Sequence, residues 1–369
     1  MAFASRSTVA LCLGLTLASA SIEAATAAIW SVYPDGSGDF PTIQSAIGGA
    51  TDGDIILLGD GTFEGVGNRN IDGLGKALTI QGNTLNPALC VIDCNASSAD
   101  RARGFNFHSG ETVLTVLEGV TIKGAVAPVL PDRWGGGVLC VNSSITLRNC
   151  IVHSNHAGWG AGLLFWGSAS LVQDVWVADN VSDVNGGGIY CTTGDATHFE
   201  RVTVVGNSTD GRGAALVANT CEPFIRDCTI HGNHAGAAGA IWVLGGASPH
   251  FSNTIITGTS PGAVMECGGG SPTFSCCDLF GNEDGNWTDC IVDQYGTNGN
   301  FSADPVYCDP ASRVFTLTVG SPCSSDENPA CGPVGAWPVG CGQPVVVLPT
   351  TWGRVKAKFG RVRPRSAQE

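Results

Sequence analysis

Positive charge is scarce in this chain. Its 369 residues hold 18 Lys and Arg against 32 Asp and Glu, and no lysine lies between Lys123 and Lys356. Over residues 28–342 there are 11 basic and 30 acidic side chains, a balance of −19. Phosphate contacts are made by Lys and Arg, so nucleic acid is excluded as a partner of this region. Long apolar runs are also missing. After residue 27 no stretch is long enough to cross a bilayer as a helix, and no integral membrane segment is expected.

The two ends differ from the body. Residues 1–27 read as a secretory signal: Arg6 is followed by an apolar segment, Thr8 to Ala18, and then by Ala18-Ser19-Ala20 and Ala25-Thr26-Ala27 as cleavage sites. Export to an oxidising compartment fits the 16 cysteines, of which 15 remain once Cys12 leaves. An odd count leaves at least one thiol free or paired between chains. Residues 343–369 carry six basic side chains and one acid, with Trp352, Val355 and Phe359 at helical spacing.

What the chain has in abundance is glycine, 52 residues, and much of it is periodic. Anchors at Gly137, Gly162, Gly188, Ala214, Ala240 and Ala263 recur at intervals of 25, 26, 26, 26 and 23 residues. A period of this size signals stacked coils. Within each repeat apolar residues alternate, which is the period of a strand. Val152, Val177, Val204, Ile230, Ile256 and Leu279 form one column; Leu147, Val172, Phe199, Ile225, Phe251 and Phe274 form a second. Cys150, Val175, Val202, Cys228, Thr254 and Cys277 form a third, read as the same strand face as the first. Several short strands around one interior predict an all-β, right-handed parallel β-helix of roughly ten coils. Asn155, Asn180, Asn207, Asn233 and Asn282 recur at the turns, where Asn tolerates left-handed backbone and its amides can stack into a ladder.

GAGL, GGGI and GAAL, paired with VADN, VVGN and IHGN, resemble the repeats of bacterial polymorphic outer-membrane proteins over roughly residues 135–285. That resemblance implies an exported β-helix linked to adhesion, although the outer-membrane barrel in which those proteins end is not expected here. Val32 to Gly65 resembles the opening segment of pectin-lyase-like proteins. There Thr42 to Ala50 is expected to form a capping helix, with Ile43, Ala46 and Ile47 facing inward. Residues 300–342 resemble the closing segment of secreted bacterial β-helix proteins. The expected organisation is a signal at 1–27, the β-helix with its N-terminal cap at 28–299, a Cys-rich C-terminal cap at 300–342 and a basic tail at 343–369. Cys308, Cys323, Cys331 and Cys341 are disulfide candidates in the cap. Cys140 with Cys150, and Cys267 with Cys277, either bridge the interior or serve as small buried thiols.

The motifs of the enzymes in that superfamily are absent: no GNAxF or DFIFG-like segment of the esterases, no NTD, DD or GHG of the polygalacturonases. The constellation that survives is Asp183, Asp210 and Arg212, with the two carboxylates in the same turn of consecutive coils. Stacked strands lie about 4.8 Å apart, so such a pair can share Ca²⁺, with Arg212 as base or anion clamp. No other cofactor is expected. The histidine pairs His153/His156 and His231/His234 read as exposed turn groups. An outward apolar column, Leu139, Leu164, Tyr190, Leu216, Trp242 and Met265, marks either a binding surface or a strip under a covering loop. Tyr190, Trp242, Leu164 and Leu216 are therefore the binding candidates. The favoured expectation is a secreted or surface-associated, non-catalytic scaffold for an extracellular glycan or cell-surface protein. The alternative is a Ca²⁺-assisted polysaccharide lyase or glycoside hydrolase.

Overall fold

The computed structural model describes residues 27–127, 133–237 and 239–341. The signal-like segment up to residue 26 and the basic tail lie outside these residues. The chain winds into a parallel β-solenoid with three main walls. Sheet I has ten strands, from Ile29–Val32 to Thr273–Ser275; sheet II has nine, from Gly61–Phe63 to Asp278–Phe280; sheet III has eight, from Ile71–Asp72 to Met265–Gly268. A shorter sheet IV stacks His156–Trp159, Val181–Asn185, Ser208–Thr209 and His234–Ala235 between the end of sheet II and the start of sheet III. Every pairing in these four sheets is parallel and joins consecutive coils, about nine in all. Among the described residues no helix is long and apolar enough to cross a membrane.

The first two expected columns are core. Leu147 pairs with Val172, Phe199 with Ile225 and Phe251 with Phe274 in sheet I; Val152 pairs with Val177 and Val204 with Ile230 in sheet II. The third column is also buried but belongs to the corner between sheets I and II. Its neighbours Asn149, Asp174, Arg201, Asp227, Asn253 and Cys276 adopt positive φ of 47–55°. The helix α1, Ile43–Gly49, caps the N-terminal end as expected, with Thr42 and Ser45 forming a capping box and Ile43, Ala46 and Ile47 fully buried.

The asparagine column is a continuous ladder from Asn155 to Asn233, and Thr259 separates it from Asn282. Nδ2 of Asn155 donates to Oδ1 of Asn180, Asn180 to Asn207, and Asn207 to Asn233, each at 3.0 Å. Each amide also donates to a strand carbonyl of the preceding coil: Asn155 to Ile122, Asn180 to Val152, Asn207 to Val177. One detail differs from expectation. The left-handed residue at this corner is the one before the Asn, namely Ser154, Asp179, Gly206 and Gly232. The asparagine therefore supplies hydrogen bonds, while its predecessor supplies the turn.

Of residues 300–341, only 300–303 join the end of the solenoid, where Phe301 bridges Asp278 of the last sheet II strand; the residues after them do not close it. They return along the outer face of sheet II as a strap, containing the antiparallel strands Tyr307–Asp309 and Val314–Leu317. The reason is an apolar column on that face. Ile151, Trp176, Ala178 and Val205 are buried against Phe315, with Tyr307 and Trp337 packed alongside. Polar ties reinforce the strap: Arg313 forks onto Asp179, Trp337 Nε1 donates to Thr203 Oγ1, and the backbone N–H of Ala336 donates to Thr229 Oγ1. The end itself is closed by a short 3₁₀ helix, Asp289–Gln294, with Ile291 and Trp287 in the core.

The disulfides follow this arrangement. Cys276–Cys331 and Cys308–Cys341 secure the strap, and Cys267–Cys290 secures the end cap. The interior bridges do not form. Cys140 lies on sheet III and Cys150 at the sheet I–II corner, and each thiol faces a local carbonyl, Ser143 and Arg148 respectively. Cys267 instead meets the capping helix through Cys290, leaving Cys277 free, and Cys323 is also a buried free thiol. Burial pushes the Cys140, Cys150 and Cys277 thiols up to about 12, so they behave as small core residues.

Beneath the strap lies one acid with no counter-charge in contact among the described residues. Asp278 is fully buried; its carboxyl accepts from the Ala303 N–H at 3.0 Å and faces the Cys323 thiol at 3.2 Å. Desolvation pushes its pKa from 3.8 up to about 7. Unfolded, it ionises near 3.8; folded, it keeps its proton to about 7, so the native state binds more protons across that window. Its contribution to stability is therefore full below about pH 4 and falls as pH rises to about 7, by a few kcal/mol. Denaturation midpoints over this range should show a shallower decline for Asp278→Asn than for the wild type; equal slopes would refute the assignment.

Candidate functional site

The flank formed by sheets III and IV carries the sequence-derived candidates. The register of sheet III places Leu139, Leu164, Tyr190, Val217, Trp242 and Glu266 in one outward column. Leu216 and Met265 instead align with Ile189 and Ile241, whose side chains face the interior, and both are buried. The small-residue anchor slips by one in those coils, because Ala214-Ala215 and Ala263-Val264 offer two candidates for one position. Leu216 is therefore a core residue, not a binding residue.

The rest of the column is mostly covered by the chain itself. Each coil returns from sheet IV to sheet III over a glycine in positive φ that lies against the outward side chain. A Cβ on Gly160 would sit 2.9 Å from Leu164 Cβ and 3.0 Å from Tyr190 Cβ. Accordingly Leu164 is 2% exposed and Val217 0%. The apolar stripe is thus largely a second, thin core beneath the turns.

Tyr190 and Trp242 remain half-buried and reach the surface. Burial raises the Tyr190 pKa, while its hydroxyl engages the Asn219 side chain. Arg212 lies over the Trp242 ring, 5.3 Å from its centroid, and its Nε donates to Glu266 at 2.8 Å. The indole N–H of Trp242 is buried and finds no acceptor among the described residues.

Asp183 and Asp210 follow directly after paired residues of adjacent coils, Ser182 and Thr209, as their spacing implied. Their surroundings separate them. Asp183 Oδ1 pairs with His156 Nε2 and Oδ2 with Arg133 Nη2, both at 2.8 Å. The His156 hydrogen bond first, and the Arg133 contacts as well, hold the Asp183 carboxyl below the usual range. Arg212 turns away toward Glu266. Among the described residues no group of three or more His, Cys, Asp or Glu is placed to hold a metal ion. A cation at Asp183 would sit beside the Arg133 guanidinium, whose positive charge opposes it.

The histidines divide by wall. His153 and His231 lie on sheet II at the strap: His231 packs against Tyr307 and Phe315, and burial lowers the pKa of both, His153 to about 4. His156 is on sheet IV, where it meets Asp183. Three half-buried tryptophans on the same flank went unnoticed in the sequence. Trp134 lies 4.6 Å from Trp166 and 6.4 Å from Trp159, centroid to centroid. A signal existed: Trp134 and Trp159 are one 25-residue period apart, each just before a small-residue pair.

Comparison with known proteins bears on the architecture. The family model described as "right handed beta helix region" matches residues 55–256 and 136–303. The solved structure of pectin methylesterase from carrot is similar with a TM-score of 0.33 and 13% identity, covering 75% of this chain and 88% of that one. No curated protein matches the sequence. With the family match extending over most of the solenoid, the chain belongs to the right-handed β-helix family.

Proposed function

We propose that the protein is a secreted or cell-surface scaffold that binds a glycan on the sheet III–IV flank without transforming it, in an adhesin-like manner. The observation that carries this reading is the contrast within the outward column. Leucine and valine are sealed beneath the turns, whereas Tyr190 and Trp242, two coils apart, keep amphipathic rings at the surface. Such rings offer an apolar face to a sugar, and the Tyr190 hydroxyl beside Asn219 adds a polar edge. The Arg212–Trp242–Glu266 stack adds a fixed donor and acceptor beside one ring. Three disulfides are in keeping with an extracellular setting.

The Ca²⁺-assisted lyase or hydrolase reading is less well supported, because the Arg133 cation already pairs with Asp183 and Arg212 is committed to Glu266. Affinity electrophoresis of the mature chain through gels containing single polysaccharides tests the proposal. Trp242→Ala is expected to weaken retention about tenfold, the loss of roughly 1.4 kcal/mol, and Tyr190→Ala by a smaller factor. Retention unaffected by either change would remove this flank from consideration.

A further inference from the structure

We infer that the tryptophan cluster Trp134–Trp159–Trp166, together with the Arg133–Asp183–His156 group beside it, is a subsite for an uncharged pyranose residue of a polysaccharide. The inference rests on the glycan-binding reading of the same flank and assigns it a second contact point with a defined chemistry.

The geometry is built across successive coils. Trp134 and Trp159 are linked by a parallel backbone bridge with their rings inclined at 82°, and Trp134 leans at 42° onto Trp166 in sheet III, giving one aromatic cluster from three elements. All three rings are half-buried, so the cluster is fixed yet accessible. Arg133 crosses the coil between its own and that of Asp183. It passes over Gly158, where a Cβ would stand 2.9 Å from Arg133 Cβ and 3.0 Å from its Nε. Its guanidinium lies 5.8 Å from the Trp159 ring centroid and donates to Asp183 Oδ2, while His156 donates to Asp183 Oδ1. The polar group is thereby held at the rim of the aromatic cluster.

This pairing matches the two faces of a pyranose. Its C–H face is apolar and stacks on an indole, and its rim presents hydroxyls that both donate and accept. An ionised carboxylate offers about four lone-pair sites, of which the two protein donors occupy two. Asp183 can therefore accept from sugar hydroxyls without giving up His156 or Arg133, and Arg133 retains further N–H donors. Charge selects the ligand class. The negative balance of −19 over residues 28–342, and the Asp183 carboxylate at the rim, oppose a uronate or sulfated sugar.

Binding is measured by affinity electrophoresis against neutral polysaccharides (a mixed-linkage β-glucan, a galactomannan, starch) and against polygalacturonate. Trp159→Ala, the isosteric Asp183→Asn and Trp242→Ala are run in parallel, with thermal midpoints confirming that each is folded. The expected result is retention by at least one neutral glycan, weakened about 3–10-fold by Trp159→Ala and by Asp183→Asn. Loss with Trp242→Ala but wild-type binding by both of the other variants would overturn this subsite and leave the general reading in place. Stronger retention by polygalacturonate than by every neutral glycan would overturn the assigned ligand class. No retention on any gel would overturn the subsite and the glycan-binding reading together.

Discussion

Asn180→Leu is expected to destabilise the solenoid by about 3–5 kcal/mol, since each buried polar group left without a partner costs about 1–3 kcal/mol. Asn180 is fully buried and serves three coils at once. Its Oδ1 accepts from both the backbone N–H and the side-chain Nδ2 of Asn155, and its own Nδ2 donates to Val152 O and Asn207 Oδ1. Leucine fits the volume but satisfies none of these groups. Removing the amide orphans two donors of Asn155 and strips acceptor contacts above and below. Chemical denaturation gives the comparison directly; a loss below about 1 kcal/mol would mean that the ladder records the turn geometry without stabilising it.

Trp176→Ala should have an effect of similar size, about 3–5 kcal/mol, as for other large-to-small changes at buried aromatic positions. Trp176 is 5% exposed and is the hub on which the strap rests, with Phe315 at 5.9 Å and Trp337 at 5.6 Å between ring centroids. The Cys276–Cys331 disulfide keeps the detached segment tethered to the coils, and Cys308–Cys341 holds it together internally, so the predicted outcome is a loosened strap and not its release. Limited proteolysis should then cut within residues 300–341 well before the coils are attacked. Cleavage that starts equally in the coils would place the weakness elsewhere.

Much of the architecture was legible in the sequence because β-helix coils repeat the same physical demands. The columns led by Leu147 and Val152, the asparagine ladder and the helix carrying Ile43, Ala46 and Ile47 each follow from local pattern. What was not legible depended on contacts between distant segments. Ile151, Trp176 and Val205 gave no sign that residues 300–341 would cover them, so that segment read as an end cap and His153 as exposed. Disulfide partners are likewise set by where the cap and strap finish, which spacing within a coil does not encode. The binding column failed for a smaller reason. In a run such as Gly-Ala-Ala either alanine can take the anchor position, and a shift of one residue turns Leu216 inward and Val217 outward. The dependence of Asp183 on Arg133 and His156 spans three coils, and the carboxylate faces the coil before it instead of Asp210.

The central claim is that the sheet III–IV flank holds a polysaccharide and leaves it intact. The most direct test is to incubate the wild-type chain with each retained glycan, with Ca²⁺ and separately with a chelator, and to follow chain length together with affinity. The account predicts unchanged chain length, affinity insensitive to the chelator, and loss of affinity in Trp242→Ala. Calcium-dependent shortening of the glycan, abolished by Asp183→Ala with Asp210→Ala, would contradict it.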